Sequence, residues 1–335
     1  MLHSIMERKT SFSLPLFSFA LSLHHESYIK QKNTKAMKKV KFLLLALAAV
    51  LMVSCGTSRT VPLTGRKQSL MVTDDQVLSL SNQEYTQFMK TAKKSTNEAN
   101  TAMVKRVGTR LANAVETYLK NNGYASEISQ YQWEFNLVQN NEANAFCLPG
   151  GKIVVYEGLL PYTKTEAALA IVLGHEIAHA VAKHSAEQLS KQYKQSLGTQ
   201  VASGILSAAG ISSSTIELGQ MVAQYGFKFQ NLKYSRSNES EADHMGLIFA
   251  AMAGYDPREA IPFWQRMSSG SSNQDDFLSD HPSDAKRIAA LQQEMPEALK
   301  YYKPVQTVST TKKTTSKTRT SKSRSSLSAT FTAAP

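Results

Sequence analysis

The chain has 335 residues, and its net charge of +12 at pH 7 lies at its two ends. Residues 1–54 carry a net charge of +6 and residues 303–335 carry +7, which leaves residues 55–302 near −1. A basic charge that belongs to the termini, and not to a folded surface, gives no support to a nucleic-acid-binding protein. The length allows one large domain or two small ones.

The N-terminal end has the pattern of a targeting segment. Residues 1–36 show no pattern typical of a folded element, and we expect them to be a spurious or disordered extension. Residues 37–54 have the order of a lipoprotein signal peptide: a lysine-rich start, an apolar stretch too short to span a bilayer, and a small residue before Cys55. We therefore predict that a lipid on Cys55 anchors the chain to a membrane outside the cytoplasm; the alternative is an uncleaved N-terminal anchor.

The next stretch contains two helices and then two strands. Helices are predicted at residues 74–94 and 98–121, where the second ends at an Asn-Gly pair. Apolar residues then alternate over residues 131–139, and a Pro-Gly-Gly turn lies within residues 144–157, so both stretches read as strands of a small sheet. Cys147, among apolar neighbours, is expected to be a small buried residue.

Residues 165–184 have the apolar period of a buried amphipathic helix and contain the sequence HEIAH. At about 100° per residue, His175 and His179 lie one turn apart on one helix face, so both rings can reach one metal ion. Glu176 points beside that ion. This is the H-E-x-x-H arrangement of zinc peptidases, with two ligands and a general base for an activated water. The alternative is a core helix with two satisfied histidines.

A catalytic zinc needs a third protein ligand and an open fourth position. Glu187 is disfavoured because we expect it on the same helix as the two histidines, two turns further on. Glu217 lies in a segment of small residues without helical support. Glu239 and Glu241 remain, near the start of a second long helix, and the residues alone leave both open. The alternative for Glu241 is a solvated surface charge.

Glu239 and Asp243 share one face of this second helix, which we expect to be capped by Ser237 or Asn238 and to run to Gly254. One of the two carboxylates can then bind zinc. The other, one turn further, can accept the far N–H of a ligand histidine and fix its tautomer.

The remaining segments surround the predicted site. Residues 197–226 are rich in small residues and are expected to form a closely packed helical hairpin. A helix begins at an Asp-Pro pair, a flexible loop follows at residues 268–280, and a last helix is predicted at residues 283–294. Residues 303–335, rich in Ser, Thr and Lys, are expected to be a disordered tail. Residues 55–302 would then form the folded domain.

Four motifs carry a family resemblance: Asn144-Ala145-Phe146 followed by Pro-Gly-Gly, the HEIAH helix, the S-R-x-x-E-x-E-A-D run, and His281-Pro282. With these motifs the chain resembles the HtpX/BepA/LoiP family of gluzincin endopeptidases, relatives of the CAAX prenyl endopeptidases. The resemblance covers roughly residues 60–302. It implies an α+β, mostly helical, zincin-like fold with a small β-sheet whose edge strand lines the cleft.

The resemblance also implies roles for acidic residues that the spacing alone leaves open. In this family the glutamate three residues before the Ala-Asp pair is the third zinc ligand, which selects Glu239 over Glu241. The aspartate four residues after that ligand supports the site, which matches Asp243.

The resemblance further implies a substrate-binding edge and an additional histidine. Asn144, Ala145 and Phe146 would lie along the cleft and bind an extended peptide through backbone hydrogen bonds; the alternative is an ordinary paired strand. His281 would lie close to the zinc, where it fills the open position or stabilises the oxyanion. The alternative for His281 is a cap of the following helix.

Together these features predict a membrane-anchored zinc endopeptidase with one Zn²⁺ per chain, bound by His175, His179 and Glu239. The predicted substrates are misfolded or unassembled proteins of a bacterial cell envelope, on the periplasmic side, and no nucleic acid is expected as a partner. The alternative is a chaperone-like envelope assembly or binding protein whose zinc site is self-blocked.

Overall fold

The structure is a computed structural model that describes residues 57–202, 228–270 and 285–304, together with residue 34 and residues 37–41. Within these ranges, no helix combines the length and the hydropathy that a transmembrane span needs.

Several of the predicted features lie outside the described residues. They include Cys55, His281, the apolar part of the signal peptide 37–54, most of the hairpin 197–226 and almost all of the tail 303–335. These features stay predictions.

Long helices and short strands alternate along the described ranges. The longer helices are α1 (Asp74–Thr91), α2 (Glu98–Asn121), α3 (Glu166–Val181), α4 (His184–Ala202), α5 (Arg236–Met252), α6 (Ala260–Gly270) and α7 (Ala285–Tyr301). The strands are β1 (Thr57–Thr60), β2 (Lys67–Leu70), β3 (Glu134–Val138), β4 (Ala145–Leu148) and β5 (Lys152–Tyr156). This mostly helical arrangement with small sheets confirms the predicted α+β fold class.

The strands form two separate sheets. β1 and β2 are an antiparallel hairpin, whereas β3, β5 and β4 form a three-stranded sheet in that order, with β3 parallel and β4 antiparallel to β5. The stretch 144–157 is thus two strands, because Gly150 and Gly151 turn the chain with φ values of 87° and 85°, which glycine adopts at little cost. Within the described residues β4 is an edge strand, as predicted.

The helix that contains the HEIAH sequence is shorter than predicted. α3 ends at Val181, and Lys183 has a φ of 53°, so the chain turns before α4 begins at His184. Glu187 therefore lies on α4, and the prediction that it shares a helix with the two histidines is wrong. Its carboxylate accepts a hydrogen bond from Arg66 at 2.9 Å.

The later helices also differ at their ends from the predicted ranges. α5 is capped by Ser235, whose side chain accepts from the N–H of Asn238 at 3.2 Å, so the predicted caps two and three residues further on are wrong. Residues 268–270, predicted as loop, are the last turn of α6. α7 continues through Pro296 to Tyr301, beyond residue 294, where the last helix is predicted to end.

The helix α3 lies at the centre of the core. It packs against α2, α5 and β4, and α5 in turn packs against α7. From Ala168 to His179 its residues are buried on all sides, including the polar His175, Glu176 and His179. A helix without a solvated face is a core helix, so the HEIAH side chains are held by packing on every side of this stretch.

α3 and α5 cross at a pair of glycines. A Cβ atom on Gly174 would lie 2.7 Å from the carbonyl oxygen of Gly246, and one on Gly246 would lie 2.6 Å from the backbone nitrogen of His175. Both distances are far shorter than a normal contact of about 3.5 Å. The two backbones can approach this closely only because neither residue has a side chain.

We predict that Gly246→Ala destabilises the fold by about 1–3 kcal/mol, because the new methyl group meets backbone atoms that have no room to move. Alanine normally stabilises a helix by about 1 kcal/mol relative to glycine. A loss of stability in Gly246→Ala would therefore be due to the close crossing. Urea unfolding measures the change. Ser240→Ala, at an exposed position of the same helix, is the control and should stay within about 0.5 kcal/mol. A Gly246→Ala protein as stable as the wild type would contradict the tight crossing.

Candidate metal centre

Three side chains meet between α3 and α5. His175 and His179 lie one turn apart on α3, and Glu239 lies in the first turn of α5. The Nε2 atoms of the two histidines are 3.0 Å apart, and each lies 3.4 Å from a different carboxylate oxygen of Glu239. All three side chains are buried. Among the described residues, no other group of His, Cys, Asp and Glu has the geometry of a metal site.

The spacing of these atoms fits a tetrahedral zinc site. Ligand atoms about 2.0–2.2 Å from one ion lie about 3.3–3.6 Å from one another. The two His–Glu separations of 3.4 Å fall in this range, and the His–His separation of 3.0 Å is slightly shorter. Two imidazole nitrogens and a carboxylate oxygen are also a donor set typical of catalytic zinc. His175, His179 and Glu239 could therefore hold the ion, as the sequence predicts.

Asp243 lies behind the first histidine. Its Oδ1 accepts from Nδ1 of His175 at 2.9 Å, which leaves Nε2 to face the centre. Burial would lower the pKa of His175, but the hydrogen bonds and charges of Asp243 and Glu239 raise that pKa to about 9. The surroundings of this ring therefore favour a positive charge at the centre. The position of Asp243 is the one expected of a residue that orients a ligand histidine.

Arg287, on α7, is a part of the site to which the sequence reasoning gave no role. One of its nitrogens lies 2.6 Å from Oδ1 of Asp243, and its guanidinium carbon lies 3.6 Å from the ring centre of Trp264 on α6. Burial would raise the pKa of Asp243, yet the charge of Arg287 and the contact with His175 lower it, so the carboxylate is ionised. The sequence pattern indicates its burial, because Arg287 lies on the apolar face of α7, one turn before Leu291.

Glu176, the expected base, is held by the edge strand. Its Oε2 accepts from the backbone N–H of Cys147 at 3.1 Å, and both residues are buried. The predicted burial of Cys147 is confirmed, and burial raises the pKa of its thiol well above the usual value. The contact brings the HEIAH helix and the predicted substrate strand together at one point.

The outward N–H groups of β4 are engaged within the protein. The N–H of Cys147 donates to Glu176, and the N–H of Ala145 donates to Oδ1 of Asn144 at 2.8 Å. Phe146 is buried against the rings of Phe88 and Tyr156. An added peptide strand would have to displace the Asn144 side chain, so binding at 144–146 stays a prediction.

Glu241 is buried on another side of α5. Its two oxygens accept from Thr64 at 2.6 Å, from Arg66 at 2.8 Å and from Nε2 of His184 at 2.9 Å. Burial would raise the pKa of Glu241, but these hydrogen bonds lower it to about 2. The alternative of a solvated surface charge for Glu241 is wrong, because the fold buries this carboxylate among three hydrogen-bond donors. Two of these donors, Thr64 and Arg66, are remote in sequence.

The second histidine also has partners that the sequence reasoning missed. The Nδ1 atom of His179 lies 2.9 Å from Nδ1 of His184, the first residue of α4. The ring of Tyr234 stacks on His179 with ring centres 4.1 Å apart, and its hydroxyl lies 2.8 Å from Oγ of Ser185. Both residues stand next to recognised motifs: His184 is the third histidine of the sequence HEIAHAVAKH, and Tyr234 directly precedes the S-R-x-x-E run.

Comparisons with known proteins agree with this site. The family model described as peptidase family M48 matches residues 98–295. The mitochondrial metalloendopeptidase OMA1 of Schizosaccharomyces pombe is 38% identical over 176 residues, which are 52% of this chain and 50% of that protein. The human mitochondrial metalloendopeptidase OMA1 is 33% identical over 248 residues, 71% of this chain and 46% of the relative.

A bacterial protein is also similar. The beta-barrel assembly-enhancing protease of Yersinia pestis is 30% identical over 167 residues, 47% of this chain and 33% of that protein. The chain spans about half the length, or less, of these curated relatives. The family match covers more than half of this chain and includes the three converging side chains. The chain therefore belongs to peptidase family M48, whose members are zinc-dependent metallopeptidases.

Proposed function

We propose that this protein is a zinc endopeptidase that cleaves misfolded or unassembled proteins of a bacterial envelope. The observation that carries the proposal is the meeting of His175, His179 and Glu239 at mutual distances of 3.0 and 3.4 Å, with Glu176 next in sequence and held by the edge strand. Ligands, base and a strand edge are the parts that a metallopeptidase needs.

The chemistry divides between the ion and Glu176. Zinc bound at this site would polarise the peptide carbonyl and lower the pKa of a water towards about 7. Glu176 takes the proton of that water during attack on the carbonyl carbon and delivers it to the leaving amine. The N–H of Cys147, which donates to Oε2 of Glu176, fixes the direction of the carboxylate.

The proposals of envelope substrates and of a membrane anchor rest on two further observations. Cys55 ends a lipoprotein-type signal segment. A relative from Yersinia pestis has a name that places its activity in beta-barrel assembly, whereas the OMA1 relatives are named as mitochondrial. For a bacterial chain with a lipid anchor, we place the catalytic domain on the periplasmic side, with unfolded proteins as substrates.

The experiment that tests the proposed activity compares Glu176→Gln with the wild type. The variant should lose several orders of magnitude in casein hydrolysis, because the base is gone, while it keeps about one zinc per chain. Elemental analysis and release of labelled peptide measure the two quantities. Glu239→Ala should lose zinc as well as activity.

The outcomes separate the two candidate functions. A wild type that binds zinc and unfolded casein but never cleaves it would favour the chaperone-like alternative. Full zinc retention in Glu239→Ala would remove this residue from the ligand set.

A second prediction concerns the anchor. Cys55→Ser should accumulate as an unprocessed precursor without acyl label, since the lipid-dependent signal peptidase needs a modified cysteine. Intact mass and membrane fractionation report the change. Identical mass and partition for the two proteins would rule out lipidation at this residue.

A third prediction concerns His281, which we propose as a gate over the open zinc position. A neutral imidazole in that position excludes water, so resting activity depends on the fraction of molecules in which the segment around His281 has moved away. His281→Ala should then raise basal casein hydrolysis or self-cleavage, and adding Glu176→Gln should abolish the increase. A fall in kcat of about 10²-fold with unchanged zinc would favour the oxyanion role. Unchanged activity would leave only the helix cap.

A further inference from the structure

A buried chain of polar groups leads from His179 away from the metal centre. Nδ1 of His179 lies 2.9 Å from Nδ1 of His184, and Nε2 of His184 lies 2.9 Å from Oε2 of Glu241. Glu241 accepts from the hydroxyl of Thr64 at 2.6 Å and from Nε of Arg66 at 2.8 Å. His184 has no exposed surface, so water cannot replace any of its partners.

The order of these groups fixes where the protons lie. A carboxylate only accepts hydrogen bonds, so Glu241 requires the proton of a neutral His184 on Nε2. Nδ1 of His184 is then a bare acceptor, and the 2.9 Å contact requires a proton on Nδ1 of His179. The Nε2 atom of His179 is thereby left with a lone pair directed at the metal centre, which is the tautomer that a metal ligand needs.

The far end of the chain belongs to the hairpin formed by β1 and β2. Thr64 and Arg66 stand in its turn, which is closed by a hydrogen bond of 2.8 Å from the N–H of Val61 to the carbonyl of Arg66. Gly65, between the two partners of Glu241, has a φ of 70°. The turn thus presents a hydroxyl and a guanidinium to one carboxylate.

The same hairpin is docked on the C-terminal end of α3. Arg59 donates to the carbonyl oxygen of Val181 at 2.9 Å, and Gln68 donates to that of Ala182 at 2.9 Å. These are carbonyls at a helix end, which lack helical partners and favour a positive charge. Arg59 is also paired with Glu127. The hairpin therefore contacts both the helix that bears His179 and the carboxylate that serves it.

We propose that His184 and Glu241 are positioning residues of the metal centre, and that the β1–β2 hairpin forms part of that centre through Thr64 and Arg66. Asp243 serves His175 in this way, and the His184–Glu241 pair serves His179. The inference takes from the proposed function only that His179 binds zinc. Its consequence is that metal affinity depends on residues of the hairpin that are remote in sequence from the HEIAH helix.

The test measures zinc affinity in the full chain by competition with a chromogenic chelator. His184→Phe places an aromatic ring without nitrogens at this position, and it should weaken zinc binding by about 10–100-fold. His184→Asn should restore most of the affinity, because its side-chain oxygen can stand at the acceptor position of Nδ1. The unfolding midpoint of the metal-free proteins shows whether each variant is folded.

A matched pair of carboxylates supplies the control. Glu241, which is buried, and Glu187, which is partly buried, both accept from Arg66, at 2.8 and 2.9 Å, but only Glu241 accepts a hydrogen bond from His184. Glu241→Gln replaces the charged acceptor of the Nε2–H of His184 by a neutral amide, which weakens the hydrogen bond that fixes this tautomer, so zinc binding should weaken by about 10-fold or more. Glu187→Gln should stay within about 2-fold of the wild type. This pair decides the question if His184→Phe does not fold.

Two results would overturn the inference. One is an equal effect of Glu241→Gln and Glu187→Gln on zinc affinity. The other is a folded His184→Asn that binds zinc no better than His184→Phe, which would leave only a packing role for His184. A wild type that binds zinc tightly and does not hydrolyse casein would count against the proposed function alone, because zinc affinity is measured without turnover.

Discussion

The close crossing of α3 and α5 at Gly174 and Gly246 is the constraint on which the metal centre depends. A Cβ atom at either glycine would lie within 2.7 Å of the backbone of the other helix. Because the helices meet here, the side chains one and two turns before Gly246 on α5 fall beside the histidines of α3. At this helix separation the carboxylate oxygens of Glu239 lie 3.4 Å from the two Nε2 atoms, and Oδ1 of Asp243 lies 2.9 Å from Nδ1 of His175. A wider crossing would leave a buried carboxylate without its partners, which is costly.

The residues that contact the two histidines are linked to segments that lie far apart in the sequence. His175 is oriented by Asp243, which is paired with Arg287 of the last described helix. His179 contacts His184, whose partner Glu241 is held by the N-terminal hairpin. Since each of these groups is buried, each needs its partner. The N-terminal hairpin and the C-terminal helix are thus joined through the site, and the two histidines on one helix are held from two sides.

The sequence predicts the part of this site that depends on local spacing. The one-turn separation of His175 and His179 and the helix that bears Glu239 follow from the apolar period. The mostly helical α+β class is implied by the family resemblance, and the structure agrees with all three expectations. The sequence does not reveal contacts between residues that are remote in the chain, nor single residues whose backbone conformation interrupts a helix. Lys183 adopts a φ of 53°, which no sequence period reports, and it places Glu187 on a different helix. Glu241 looked like a surface charge because its partners Arg66 and Thr64 are remote in sequence. The partners of Arg287, which are Asp243 and Trp264, are likewise remote in sequence.

The most direct test of the central claim is anomalous diffraction at the zinc absorption edge from crystals of the zinc-loaded protein. The account predicts one peak within about 2.2 Å of Nε2 of His175, Nε2 of His179 and a carboxylate oxygen of Glu239. A peak bound instead by Glu241 or Cys147, or the absence of a peak between α3 and α5, would contradict it.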